Sequence, residues 1–185
     1  NSVGTTTPIK TLVKIAHAVG AKVYLDAVHW APHRLIDVVD WGVDYCVCSA
    51  YKFFGPHVGL LWGRHSNLEE MAAYKLRPSP AHCPGKWTTG TQNFAAIAGV
   101  RACIDYVASI AGKLQPDLPL GSRRAALQMA LAAIREYETG LVAILLDSLQ
   151  RLPRVRVFGI TESSRLQDRV PTVSLVVDGI PAQNV

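Results

Sequence analysis

The chain has 185 residues, 49% of them apolar, enough for one ordinary core or for a core and part of a second. Its 19 basic and 14 acidic residues leave a charge of +5 with no dense Lys/Arg run, so nucleic-acid binding is not signalled and a small anionic ligand suits the charge equally well. No secretory leader and no apolar run of membrane-spanning length is read, so no membrane partner is expected.

Asn1 to Thr7 is polar and turn-like, with no initiator Met, and the chain reads as an internal piece of a longer protein. Thr7-Pro8 starts a helix, with a hydroxyl at the cap and proline at the first helical position. Ile9, Leu12, Val13, Ala16 and Val19 recur at helical spacing, and Gly20 ends the run. Lys22 to Leu25 is β-rich and closes on Asp26. A helix leading straight into a strand predicts an αβ unit of a parallel sheet. Ala27 to His33 is apolar apart from His29 and His33, and Leu35 to Trp41 reads as a short helix or crossover closed by Gly42.

Asp44 to Cys48 is the second strand, leading to Ser49, Tyr51 and Lys52. Cys46 and Cys48 share a face of it. With Cys83 and Cys103 they form no C-x-x-C and have no histidine at ligand spacing, so no metal is expected. Reduced thiols point to a reducing compartment, the cytoplasm first. Val58 to Gly63 is a third strand, and the short Gly-containing return after Lys52 favours an antiparallel neighbour. Ser66-Asn67-Leu68 starts a short helix through about Tyr74.

Lys75 to Gln92 is long for a loop, and long ordered loops tend to be functional. It ends in hydroxyls and amides that run into a helix capped by Asn93, with Ile97, Val100, Ile104 and Val107 as the apolar face. Such an end suits an anion or is an ordinary cap. Gln115 to Gly121 is a linker. Ser122 to about Leu152 is a helix of roughly 45 Å whose apolar positions are Leu127, Leu131, Ile134, Leu141, Ile144, Leu145 and Leu149. Strands at Val155 to Phe158 and Val173 to Val177 read as the start of a smaller α/β domain. The expected division is 1–115, 116–152 and 153–185.

Asp26 closes one strand, and Lys52 follows the next, 26 positions later. Parallel neighbours would bring both to the carboxyl edge of the sheet, where open α/β sheets bind ligands. A desolvated amine there attacks carbonyl carbon; the alternatives are a solvated lysine and a turn-capping aspartate. An acid and a lysine on one edge suit pyridoxal phosphate. The lysine takes the aldehyde, and the carboxylate keeps the pyridinium protonated so that the ring accepts electrons. His29 can stack on the ring or bond to it, and Ser49 and Tyr51 offer hydroxyls to the phosphate. The absence of G-x-G-x-x-G argues against a nucleotide-binding Rossmann domain.

Four stretches carry a resemblance: Asn1-Ser2-Val3-Gly4-Thr5, Leu25-Asp26-Ala27-Val28-His29-Trp30-Ala31-Pro32-His33, Ser49-Ala50-Tyr51-Lys52-Phe53-Phe54-Gly55-Pro56 and Thr89-Gly90-Thr91-Gln92-Asn93. In order and spacing over about residues 1–110 the chain resembles the class V aminotransferase family, and within it the cysteine desulfurase-like subgroup. The resemblance implies a partial three-layer α/β large domain of the pyridoxal-phosphate transferase type (fold type I), followed by the start of a small α/β domain. It implies a pyridoxal 5'-phosphate enzyme acting on an amino acid, as cysteine desulfurases and selenocysteine lyases do. Lys52 is then the Schiff-base lysine and proton shuttle. His29 falls where desulfurases usually carry Gln against the cofactor's phenolic oxygen, and Asn1 falls where an Asn makes a similar contact. Asp26 pairs with the pyridine nitrogen and Ser49 binds the phosphate. Thr91 falls on the threonine that reaches the phosphate of the partner subunit, which implies a homodimer.

Two positions depart from the pattern. Tyr51 stands where desulfurases have His, as in kynureninase-like members, and Gln92 stands where Pro is common. None of the four cysteines falls on the family's sulfur-accepting position, and the nucleophilic cysteine and the arginine that grips the substrate carboxylate are expected beyond Val185. The alternatives are a kynureninase- or epimerase-like enzyme, or a non-catalytic member that keeps the fold as a binding or assembly module. Retention of Asp26 and Lys52, both costly to desolvate, weighs against the last.

Overall fold

The structure is a computed structural model that describes residues 1–88, 90–117 and 121–185. Thr89 of the Gly-Thr loop and residues 118–120 of the linker lie outside the described residues. The chain divides into two compact units. A three-strand unit comprises Ile9–Pro32 and Ile36–Val107; a two-strand unit comprises Asn1–Pro8, His33–Leu35 and Ala108–Val185.

In the three-strand unit, α1 (Ile9–Ala18) leads through Gly20, at φ 76°, into β1 (Tyr24–Asp26). A single turn, α2 (Val38–Trp41), is capped by the Asp37 carboxylate, which accepts from the Asp40 N–H, and is ended by Gly42 in the left-handed region. Then come β2 (Tyr45–Ser49) and β3 (Gly59–Gly63). β1 pairs parallel to β2, with Asp26 opposite Val47, and β2 pairs antiparallel to β3, with Ser49 opposite Gly59. Both the parallel unit and the antiparallel return follow the sequence expectation. Val13, Ala27, Val43 and Cys46 form the core, with Leu25, Trp30 and Trp41 packed around it. The two indoles meet edge to face, centroids 5.7 Å apart.

Asp44 ties the amino ends of β1 and β2 together. Its carboxylate accepts from the Val23 N–H at 2.7 Å and from Asn67 at 3.2 Å, and it pairs with His17 Nε2 at 2.8 Å. With one end of the strand pair fixed, the carboxyl ends are fixed too.

α3 (His65–Glu70) stops four residues before the expected Tyr74. Met71 turns extended, and the last turn gives its groups to the following loop. Glu69 Oε1 accepts from the Cys83 N–H at 2.7 Å, and the Glu69 carbonyl accepts from the buried Lys86 ammonium at 2.6 Å. α4 (Phe94–Leu114) begins where Asn93 Oδ1 accepts from the Ala96 N–H at 3.0 Å, the cap expected from the sequence. Val100 and Val107 are buried as expected, whereas Ile97 is half exposed. α4 has 21 residues and a mean hydropathy of 1.5 over its most apolar window, so by length and composition it could cross a bilayer. The three charges Arg101, Asp105 and Lys113, spread along it, hid this from a count of uninterrupted apolar residues.

In the two-strand unit, α5 (Arg123–Gln150) is capped by Ser122, whose hydroxyl accepts from the Ala125 N–H. It packs beside the antiparallel hairpin of β4 (Val155–Phe158) and β5 (Ser174–Val177). The buried positions of α5 are Ala126, Ala130, Val142 and Leu146. Of the apolar positions read from the sequence, Leu127, Leu131, Ile134 and Leu149 are half-buried, and Leu141, Ile144 and Leu145 are exposed. Large apolar side chains outnumber the small ones on this helix, so they do not all fit on its buried face. Leu146 and Val142 pack with Leu166, Val157 and Val173. The amino-terminal segment joins the same unit: the Val170 N–H donates to the Gly4 carbonyl at 2.9 Å, and the Thr6 N–H to the Asp168 carbonyl at 2.8 Å.

Candidate functional site at the carboxyl edge of the sheet

β2 ends at Ser49 and tightens into a 3-10 turn, Ala50–Phe53, that carries Tyr51 and Lys52. Ala50 is fully buried: its N–H donates to the Val58 carbonyl, and its carbonyl accepts from the Gly55 N–H at 2.9 Å. A Cβ on Gly55 would sit 2.9 Å from that of Ala50, so only glycine lets the chain double back this closely. Phe54 takes φ 71°, a conformation disfavoured for a residue with a side chain. Together these fix Lys52 three residues past the strand.

The β1–β2 register brings Asp26 to the same edge, opposite Val47 and two residues short of Ser49. Asp26 Oδ1 accepts from the Val28 N–H at 2.8 Å, which orients the carboxylate. Oδ2 has no protein partner among the described residues. His29, three residues on, is exposed. Lys52 is exposed too, so the described residues do not supply the apolar enclosure expected from its neighbours in sequence. Instead its Nζ lies 5.1 Å from the centroid of the Tyr51 ring. The other partner of Tyr51 is His57, stacked at 4.9 Å and 15°. Sequence reasoning missed His57, and no spacing signal marks it, because only the reversal at Gly55-Pro56 folds it back.

The remaining expected residues are distributed as follows. Ser49 is half-buried at the strand end. Thr91 is exposed, in the loop after Gly90 and before α4. Asn1 belongs to the two-strand unit, and its amide closes its own turn: Nδ2 donates to the Thr5 carbonyl at 2.6 Å, and Oδ1 accepts from the Val3 N–H at 3.2 Å. Burial, reinforced by Cys48 and by the Asp26 charge, pushes the Cys46 thiol up to about 11. Burial and Asp26 raise that of Cys48 as well. These thiols are held protonated, unlike an activated nucleophile.

The family model described as Aminotransferase class-V matches residues 1–114. This chain belongs to the class V aminotransferases. It is 29% identical over 175 residues to a cysteine desulfurase of Serratia proteamaculans, covering 88% of this chain and 38% of that protein. It is 31% identical over 186 residues to an aminotransferase-like protein of Gibberella zeae, covering 100% and 42%. The apo structure of a cysteine desulfurase from Thermococcus onnurineus matches with a TM-score of 0.75 at 21% identity, over 99% of this chain and 43% of that one. This class V aminotransferase chain therefore spans about two fifths of the length of the relatives it matches. Its fold is the mixed α/β architecture of pyridoxal-phosphate fold type I, in part, and the family is one of pyridoxal-phosphate-dependent enzymes.

Proposed function

We propose that the protein carrying this chain is a pyridoxal 5'-phosphate-dependent enzyme that acts on an amino acid in the manner of a cysteine desulfurase or selenocysteine lyase. One observation carries the reading: parallel pairing of β1 with β2 sets a carboxylate, Asp26, and an amine, Lys52, at one sheet edge. The donor set fits the cofactor. Asp26 is oriented by the Val28 N–H and keeps Oδ2 for the ring nitrogen. Ser49 and Tyr51 supply hydroxyls for the phosphate, and Lys52 supplies the amine for the aldehyde. When bound, the cofactor is an electron sink for charge developing at the substrate Cα. Lys52 holds the cofactor, then takes and returns the Cα proton; His29 and Asn1 are assigned to the ring substituents. Thr91 is assigned to the phosphate of a partner subunit in a homodimer. Within the protein, 1–115 is read as part of the large domain, 116–152 as linker and connecting helix, and 153–185 as the start of the small domain. The compartment is read as cytoplasmic, with a mitochondrion or another organelle as the alternative.

Tyr51 favours a second reading. A tyrosine before the lysine is the kynureninase-like pattern, in which a Cβ–C bond rather than a Cβ–S bond is broken. Product analysis with cysteine and with kynurenine separates the two.

The test is made on the full-length protein. It should be yellow, and borohydride should fix the cofactor to Lys52, as found by peptide mapping. Lys52→Ala should be colourless and slower by roughly 10²–10⁴-fold, the range for loss of a positioned acid–base group. A colourless wild type that takes up no pyridoxal phosphate, or label on another lysine, rejects the assignment.

A further inference from the structure

The loop before Thr91 is fastened to α3 by a buried lysine that the chemistry above does not use. Lys86 is 6% exposed, and its Nζ donates to the Glu69 carbonyl at 2.6 Å. The next residue makes the same kind of contact one carbonyl earlier: Trp87 Nε1 donates to the Leu68 carbonyl at 3.1 Å. Both carbonyls belong to the last turn of α3, where a helix runs out of its own donors and where a cation suits the negative end. Glu69 Oε1 completes the fastening by accepting from the Cys83 N–H at 2.7 Å, and its Oε2 lies 3.9 Å from the Lys86 ammonium.

A lysine is a costly way to fill this place. Burying an ammonium forfeits its hydration, and an apolar side chain of similar size is often as stabilising. What Lys86 adds is direction, because a bond to one particular carbonyl fixes the stem of the loop. That stem lies five positions before Thr91, and Asn93, two positions after it, is fixed as the cap of α4. The Thr91 hydroxyl has no hydrogen-bond partner among the described residues, so its place is set by these two flanks.

We propose that Lys86 is a positioning residue for Thr91, holding the loop so that the Thr91 hydroxyl is presented to the phosphate. This role rests on the assignment of Thr91 to the phosphate made above. A loop fixed beforehand is not ordered at the moment of binding, so the contact is made at a lower entropic cost. Lys86 itself touches neither cofactor nor substrate and acts only through the residue it places.

Equilibrium dialysis of pyridoxal phosphate against the full-length protein tests it, with Thr91→Ala, Lys86→Met and the double variant compared with wild type. Thr91→Ala should weaken binding about tenfold, the loss of one charge-assisted hydrogen bond. Lys86→Met should weaken it about fivefold while the melting temperature holds. The double variant should bind no more weakly than Thr91→Ala, because the stem then has nothing left to position. If Lys86→Met does not fold, Trp87→Phe, which keeps the ring and removes one N–H, enters the same comparison with a loss of about threefold. In the protein freed of cofactor, the Cys83, Trp87 and Thr88 amides should exchange faster in Lys86→Met, and those of β1 and β2 should not. Unchanged binding by Thr91→Ala removes the assignment beneath the proposal. Weakened binding by Thr91→Ala beside unchanged binding by Lys86→Met overturns the role of Lys86 alone. Losses that add in the double variant, or unchanged exchange at the three amides, overturn it as well.

Discussion

Lys52 shows what a residue gains from context. Its own stretch gives an exposed lysine, and the structure keeps it exposed. The β1–β2 pairing that brings it to the same sheet edge as Asp26 was legible. Both residues end β-rich runs, and the spacing between them leaves room for only a short crossover. The Tyr51–His57 stack was not legible, because ring stacking across a chain reversal leaves no periodic trace. The cysteines carry a sharper residue-level expectation. Cys46 is 4% exposed with a pKa near 11, so at pH 8 its thiolate fraction is on the order of one in a thousand. Iodoacetamide at pH 8 should leave Cys46 unmodified in the native protein and label all four cysteines once it is unfolded. Early labelling of Cys46, read by peptide mapping, would show that the strand does not protect it.

Secondary elements were easier to read than the faces they bury. The helices, the three strands of one sheet and the hairpin of the other all fall where periodicity and caps placed them, within a few residues. The buried face of α5 did not follow in full, because complete burial there falls on Ala126, Ala130, Val142 and Leu146 while larger residues are half-buried or exposed. Nor did the sequence mark Asp44 as more than the polar start of a strand. Burial alone would raise its pKa; hydrogen bonds from His17, the Val23 N–H and Asn67 outweigh that and hold it below the ordinary 3.8. A carboxyl with a lower pKa folded than unfolded stabilises fully above the unfolded value and loses that contribution as pH falls through the folded one. The three-strand unit should therefore lose stability below about pH 4 through this group. Asp44→Asn should cost about 2 kcal/mol at pH 7, from charge-assisted hydrogen bonds, and should flatten the acid limb. Denaturant titrations of both proteins at pH 7 and pH 3 measure this; an equally steep acid limb in the variant would place the sensitivity elsewhere.

At the scale of the whole chain, the sequence was read as consecutive blocks, while the compact units are assembled from separated segments. Nothing local announces that residues 1–8 pack with residues 168–174, since the contacts are backbone hydrogen bonds and one from the Thr6 hydroxyl to the Asp168 carbonyl, with a sequence separation of more than 160 residues. Gly4 is the clearest trace of that packing. It sits at φ 77°, and a Cβ there would run into the Thr172 carbonyl oxygen and lie 2.9 Å from that of Val170. Its own carbonyl accepts from the Val170 N–H, so the segment cannot shift away without losing that bond. Left-handed backbone costs a residue with a side chain roughly 1–2 kcal/mol, and the collision adds to it. Gly4→Ala should thus destabilise the two-strand unit by at least about 2 kcal/mol. The three-strand unit keeps its own core of Val13, Ala27, Val43 and Cys46 and should be spared. Native-state hydrogen exchange resolves the two, because each strand pair reports on its own unit. Protection should fall in β4 and β5 and persist in β1 and β2. Equal losses in both would mean that the amino-terminal segment stabilises the chain as one cooperative body.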